Sequence, residues 1–221
     1  VTKDGQPVAL RENLDLPWGA SPAKSHGAQG VGLFRTEFLV VGRSALPGEE
    51  EQYQAYRHVA ETFPDSAVMI RTFDVGGDKF PMFLNMPREA NPFLGWRAIR
   101  VCLDQPELFR PQLRALLRAT AHGDIRIMLP LVNDVDEVLR VRGLLKEEED
   151  RLTENGIDFN PGYKLGLLIE TPAAALDAVE LGFQTYLIED ACRGVNLNSG
   201  DVDRAVADMR ARGVVIYESP G

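Results

Sequence analysis

Short apolar runs alternate with longer amphipathic stretches along the whole chain. The runs Pro7–Asn13, Val31–Phe34, Ala67–Phe73, Ile125–Leu131, Lys164–Glu170, Thr185–Glu189 and Val214–Tyr217 predict strands, and a short extended piece is expected near Pro92–Trp96. These runs carry little period-two alternation, the pattern of strands covered on both faces in a parallel sheet. The stretches between them predict helices. Glu49–Phe63 follows Pro47-Gly48 and places acids in its first turn, where the helix dipole favours them. Pro106–His122 stops at Gly123, and Asn133 is placed to cap Val135–Asn155, which stops at Gly156. Pro172 opens the next helix, which stops at Gly182, and Ser199 or Asp201 can cap Val202–Arg212. Eight strand candidates alternating with helices predict an α/β fold, a (β/α)8 TIM-like barrel formed as one domain over residues 1–221. The charge run Glu147–Arg151 reads as the solvated face of a long helix.

Composition narrows the partners. A chain of 221 residues is long enough to bury a sizeable core. Its net charge of −9 argues against nucleic acid, but a local cluster of arginines can still oppose that sign for a small anionic substrate. No apolar run approaches the roughly 20 residues needed to span a bilayer. The N-terminus has no apolar signal core and no initiator Met, so an internal start is expected. Cys102 and Cys192 have no metal spacing and are too few for a disulfide framework, which fits a reducing cytoplasm.

In a barrel of this kind, functional groups gather at the C-terminal ends of the strands. Arg35 and Glu37 follow the Val31–Phe34 run, and Arg71 and Asp74 lie in or just after the next. Arg97 follows the Pro92–Trp96 piece, and Glu170 ends the Lys164–Glu170 run. Arginine suits phosphate because its planar fork donates two parallel hydrogen bonds and keeps its charge at any working pH. Gly76-Gly77 can let backbone amides approach an anion or simply form a turn, and Lys79 adds a point charge. Glu170 is a hard carboxylate suited to Mg²⁺. Each arginine taken singly reads more readily as a salt-bridge partner for a nearby acid, and it is the ordered set that points to function. Phe93 and Trp96 read as core, and His26, His58 and His122 as surface or helix-end residues.

Taken in order, the segments Gly30–Leu39 (GVGLFRTEFL), Arg71–Lys79 (RTFDVGGDK), Asn91–Arg100 (NPFLGWRAIR), Arg126–Val132 (RIMLPLV) and Ile169–Ala175 (IETPAAA) carry a resemblance. Residues 2–175 resemble the C-terminal barrel of the phosphoenolpyruvate-utilising enzymes, nearest to enzyme I, the phosphoenolpyruvate-protein phosphotransferases of bacterial sugar transport. The resemblance implies that Arg35 and Arg71 grip the phosphate of phosphoenolpyruvate and that Lys79 and Arg97 line the site. It implies that Glu170 is one of two acidic Mg²⁺ ligands. It also implies phosphoryl transfer to a histidine with Mg²⁺ and arginines steadying the enolate, and a homodimer formed through the barrel.

The resemblance stops near residue 175. The family's seventh strand ends in a Gly-Thr-Asn-Asp-type motif that supplies the second metal ligand, and its eighth carries a Cys acting as acid. Neither is present in this sequence. Residues 175–219 instead resemble the C-terminal part of nicotinamidases and isochorismatase-like hydrolases, with Glu170 standing about where their nucleophilic Cys would be. This reads as a chimera in which a helix–strand–helix–strand piece, residues 176–221, closes a six-strand barrel fragment without an eighth helix. Asp190 ends the expected seventh strand and can approach Mg²⁺ or cap the local turn. Cys192 matches a non-nucleophilic position. Three functions therefore stand open: a phosphoenolpyruvate-binding barrel with impaired or absent transfer, a stable but silent chimera, and an amide hydrolase, disfavoured because its nucleophile is missing.

Overall fold

A computed structural model describes the chain except for residues 1–4, 6, 42, 44, 77–94, 181, 183, 190, 191, 193, 195–197 and 218–221. Five strands form one parallel sheet in chain order: β1 (Glu12–Leu14), β2 (Val31–Arg35), β3 (Val68–Arg71), β4 (Ile125–Leu129) and β5 (Lys164–Leu167). Parallel neighbours need a crossover between each pair. The connections carry α1 (Ala20–Ser25), α2 (Glu49–Thr62), α3 (Ile99–Asp104), α4 (Pro106–Ala119) and α5 (Val135–Glu154). Because every strand runs the same way, residues 35, 71 and 128 lie at one register level near the C-terminal ends of three adjacent strands.

The core lies between this sheet and its helices. Ile125, Ile127 and Leu129 are buried while Arg126 and Met128 between them are half-buried, so β4 does alternate. The expectation of little alternation is thus corrected for β4, whereas in β3 Ile70 and Arg71 are buried in succession. α4 presents Phe109, Leu113, Leu116 and Leu117 to the interior at helical spacing. Phe34 of β2 meets Tyr56 of α2 edge-to-face, with ring centroids 6.0 Å apart.

α4 also carries Arg110, Arg114 and Arg118 one turn apart, and their neighbours correct a second expectation. Glu148, in the charge run expected to be solvated, is 1% exposed and accepts from Arg110 at 2.5 Å and Arg114 at 2.8 Å. On the other side Glu49 of α2 accepts from Arg114 at 2.6 Å and Arg118 at 2.8 Å. A ladder of guanidinium groups therefore ties three helices together. The cap of α5 is Asp134, not Asn133: its carboxylate accepts from the Glu137 amide at 3.0 Å, and Glu137 accepts in return from the Asn133 amide at 2.7 Å. α3 was not expected at all. It is short, and it directly follows the Arg97 segment.

The C-terminal stretch differs most from expectation. α6 (Pro172–Glu180), β6 (Tyr186–Ile188), α7 (Asp201–Ala211) and β7 (Val215–Tyr217) fall near the predicted bounds. Among the described residues, however, β6 and β7 pair with each other as a separate parallel pair and do not extend the sheet beyond β5. Their small cluster of Ala175, Leu176, Met209 and Val214 is distinct from the main core. Periodicity sets where strands form but not which edges they join, and α6 packs on α7 here. Apart from Gly95 and Trp96, the piece expected near Pro92–Trp96 lies outside the described residues.

Glu148 gives the first test. Burial alone would raise its pKa, but the hydrogen bonds from Arg114 and Arg110 outweigh that and hold the carboxyl below its ordinary value. A carboxyl with a depressed folded pKa contributes stability above its unfolded pKa and loses it as pH falls through the folded one. Glu148→Gln is expected to cost about 1.5–3 kcal/mol at neutral pH, the scale of a charge-assisted hydrogen bond. Urea denaturation should show that difference shrinking as pH drops below the ordinary glutamate range; a difference independent of pH would refute it.

Candidate functional site

The C-terminal ends of β2 and β3 and the segments after them build a buried ionic cluster. Arg71 is the last residue of β3 and pairs with Glu37, which sits in the helical turn just after β2. Its guanidinium also lies 3.2 Å from Asp74. Asp74 accepts from Arg97 at 2.7 Å, so its carboxylate stands between two guanidinium groups. Arg71 and Arg97 are each 7% exposed, Asp74 5% and Glu37 1%. Two buried positive charges thus face two buried negative ones, the condition under which buried charge is tolerated.

Backbone geometry makes room for this cluster. A Cβ on Gly76 would lie 2.1 Å from the Cβ of Arg97, and its φ of +151° is one that side chains rarely adopt. Gly76 thus admits Arg97 to the end of β3, a more specific role than a turn or an anion-binding loop. The Ala98 amide then donates to the Val75 carbonyl at 2.9 Å. Ala98 has φ +52° and Leu131 φ +55°, the two non-glycine residues with positive φ among those described. One follows Arg97; the other donates its amide to Glu170 at 3.0 Å. Strained backbone of this kind persists only where its surroundings over-determine it, and it collects at functional sites.

Glu170 lies three residues beyond the end of β5 and is exposed as a residue. Withdrawal from water nonetheless raises its pKa; the Leu131 amide opposes the rise, Asp74 adds to it, and Arg71 and Arg97 counter it. Those influences place Glu170 within electrostatic reach of the cluster. Its neighbour Thr171 donates to Asn133 at 3.0 Å and accepts from the Ala174 amide in the first turn of α6, which steadies the segment from behind.

The structure brings Arg71 and Arg97 together on Asp74, and Glu170 is linked to them only electrostatically, through the influence of those charges on its carboxyl. Arg35 is the register partner of Arg71 on β2, but its side chain pairs with Asp15, donating from Nε at 2.8 Å, and lies over Phe38. Lys79 and Asp190 lie outside the described residues. Sequence reading did not single out Thr36 or Thr72, both fully buried beside these charges; their position next to Arg35 and Arg71 was the available signal. Arg71 Nε, Arg97 Nε and Thr72 Oγ1 are among the buried atoms that find no hydrogen-bond partner among the described residues. No group of three or more His, Cys, Asp or Glu among those residues could hold a metal ion. Cys102 is buried near Asp74, and burial first, then that charge, pushes its thiol up to about 12. No described helix is long and apolar enough to cross a membrane.

Comparison with known proteins places these residues in a family. The family described as "PEP-utilising enzyme, PEP-binding domain" matches residues 1–184, which runs past the joint expected near residue 175. The chain is 48% identical over 175 residues to the phosphoenolpyruvate-protein phosphotransferase of Staphylococcus epidermidis, covering 79% of this chain and 31% of that protein. The protein of that name from Staphylococcus aureus is 47% identical over 175 residues, with the same coverage. That from a Bacillus species (strain S) is 46% identical over 178 residues, 80% of this chain and 31% of the relative. The chain thus spans about a third of the length of these relatives.

Glu170 yields a test with a definite sign. A carboxyl whose folded pKa is raised destabilises the fold once ionised, so stability falls as pH rises from the unfolded value through the folded one. Glu170→Gln keeps an acceptor for Leu131 and removes the charge. It is expected to be more stable than wild type at pH 7, with the gap closing on acidification below the ordinary glutamate range. A variant less stable at neutral pH would reverse the reading. Gly76→Ala is expected to cost more than about 1 kcal/mol in urea denaturation, because the new methyl must displace Arg97 and the φ is unfavourable; a neutral substitution would contradict the close approach.

Proposed function

We propose, because the chain belongs to the PEP-utilising enzymes and carries their PEP-binding domain, that the strand-end cluster binds phosphoenolpyruvate. The observation that carries this reading is the set of buried donors without partners, Arg71 Nε, Arg97 Nε and Thr72 Oγ1. A buried polar group left unpaired costs about 1–3 kcal/mol. An anion accepting from Arg71 and Arg97, which share Asp74, would give such donors a partner. Phosphate oxygens suit the guanidinium forks of Arg71 and Arg97. Arg35, next in register and only half-buried, reaches the same ligand by releasing Asp15, and Lys79 supplies a further charge.

The residues also fit a divalent cation in part. Glu170 is a hard carboxylate whose ionisation is disfavoured in place, and a cation beside it would relieve that penalty. We assign Mg²⁺ to Glu170, with Asp190 as the second acidic ligand. Bound there, Mg²⁺ supplies positive charge for the oxygens on which negative charge develops when phosphoenolpyruvate gives up its phosphoryl group. The chain's own part is to hold the substrate's anionic groups on Arg35, Arg71 and Arg97 in an ion-balanced site. Transfer to a histidine is the reaction of phosphoenolpyruvate-protein phosphotransferases. We propose that it is impaired or absent here, since residues 185–221 carry no Gly-Thr-Asn-Asp motif.

A second reading concerns the tail. The family match ends at residue 184, and β6–β7 forms its own sheet with its own cluster. The second reading is that residues 176–221 are a nicotinamidase-like graft on a cytoplasmic barrel domain that is structurally stable but silent; the family match over residues 176–184 weighs against a joint as early as 176. Closure of a full eight-strand barrel belongs to the proposal as well. So does a homodimer, which the exposed Tyr186, Val215 and Tyr217 favour.

Thermal unfolding with phosphoenolpyruvate and Mg²⁺ separates binding from silence. Ligand at about one hundred times Kd adds ~2.7 kcal/mol, which for a chain of this size raises Tm by roughly 5–10 °C. Arg35→Ala is the clean variant, because its ion pair is partly exposed and its loss leaves the fold intact. It is expected to reduce the shift at least tenfold in ligand concentration. Absence of any wild-type shift at millimolar ligand, or an undiminished shift in Arg35→Ala, would remove phosphoenolpyruvate from the reading. Light scattering checks the dimer, and a monomeric mass would exclude it.

A further inference from the structure

We propose that Gln112, on α4, is a positioning residue for the strand-end cluster: its carboxamide joins the ends of β2 and β3 and thereby sets Arg71 and Asp74. The ligand arm of its test rests on the phosphoenolpyruvate reading; the geometry does not. Gln112 is fully buried, yet it lies on a helix whose other buried face is apolar. Its Oε1 accepts from the Phe73 amide at 3.0 Å, between Thr72 and Asp74. Its Nε2 donates to Thr36 Oγ1 at 3.1 Å, and Thr36 in turn donates to the Arg71 carbonyl at 2.8 Å. Nε2 also donates to the Tyr56 hydroxyl at 3.1 Å, which donates to Gln52 at 3.0 Å. Gln52 ends the chain by donating to the Pro47 carbonyl at 2.9 Å.

The direction of every bond in this chain is fixed by chemistry. A backbone N–H can only donate, so the amide oxygen must face Phe73 and the NH₂ must face the two hydroxyls. Thr36, receiving from Gln112, is left with its proton for the Arg71 carbonyl. One side chain therefore ties residue 36, between Arg35 and Glu37, to residues 71 and 73, on either side of Thr72 and next to Asp74. All groups involved are buried, where loss of a partner strands the other in low dielectric. A helix that only needed to pack here would be served by leucine or methionine.

The test compares three substitutions of similar volume by phosphoenolpyruvate affinity in the presence of Mg²⁺, urea midpoint, and NMR exchange of the Phe73 amide and the Arg71 Nε–H. Gln112→Met removes its bonds to Phe73, Thr36 and Tyr56, Thr36→Val removes the route from Gln112 through Thr36 to Arg71, and Tyr56→Phe removes only the outer branch. Gln112→Met and Thr36→Val are expected to weaken affinity about tenfold, the equivalent of one hydrogen bond of ~1.4 kcal/mol. They should also alter the Arg71 Nε–H signal, and Gln112→Met should speed exchange at Phe73. Tyr56→Phe should stay within about twofold of wild type in affinity even where its urea midpoint falls. If Tyr56→Phe weakens binding as much as Gln112→Met, so that affinity tracks stability, Gln112 is structural and the proposal fails. Should Gln112→Met not fold, Thr36→Val against Tyr56→Phe makes the same comparison. If wild type binds no phosphoenolpyruvate, the proposed function falls, and the Arg71 Nε–H and Phe73 signals decide the positioning claim alone: unchanged signals in the Gln112 or Thr36 variant overturn it.

Discussion

Asp74 stands between the guanidinium groups of Arg71 and Arg97, and the strand-end face is arranged around keeping that carboxylate and its neighbours in charge balance away from water. Each charge there is tolerable only because an opposite one touches it. Glu37 supplies the fourth member of the set from the turn after β2, Gly76 lets Arg97 come close, and Ala98 takes a strained conformation to keep it there. The arrangement is paired in charge but not saturated in hydrogen bonds. That difference separates it from the fully satisfied ion pairs elsewhere in the fold, and the proposed anion site draws on those donors.

The ionic ladder on α4 shows the contrast. Arg110, Arg114 and Arg118 alternate with Glu49, Glu147 and Glu148 along the contact between three helices, and their bonds are short and directed at one another. None of these guanidinium groups leaves a buried atom without a partner. The ladder stabilises packing; the cluster at the other end of the strands holds unused valence. The same residue types therefore do different work according to how fully the surroundings satisfy them.

Much of the architecture was legible from local pattern. Six of the seven observed strands begin within one residue of the apolar runs that predicted them, and α2, α4, α5, α6 and α7 end close to the glycines or turns that mark them. This is information a helix or strand carries within itself. Less legible were features set by contact. The run around Glu148 looks solvated in sequence because nothing nearby shows that Arg110 and Arg114 will reach it from another helix. Gln112 looks like an ordinary polar position on an amphipathic helix, since its partners Thr36 and Phe73 lie 76 and 39 residues away. The strands of the tail were recognised, but not their pairing with each other.

By itself the sequence determined the succession of strands and helices, the parallel α/β class, and the arginine and acidic residues that mark the family. Those follow from periodicity, capping residues and motif spacing, which are local along the chain. Only the tertiary structure decided that Arg71, Asp74 and Arg97 share one buried cluster while Arg35 leans to Asp15, and that Gly76 exists to admit Arg97. It alone decided that β6 and β7 form a sheet apart from β5. These outcomes turn on which distant groups are brought out of water together, and the energy of a buried charge or an open strand edge depends on those partners, not on its own neighbours in sequence.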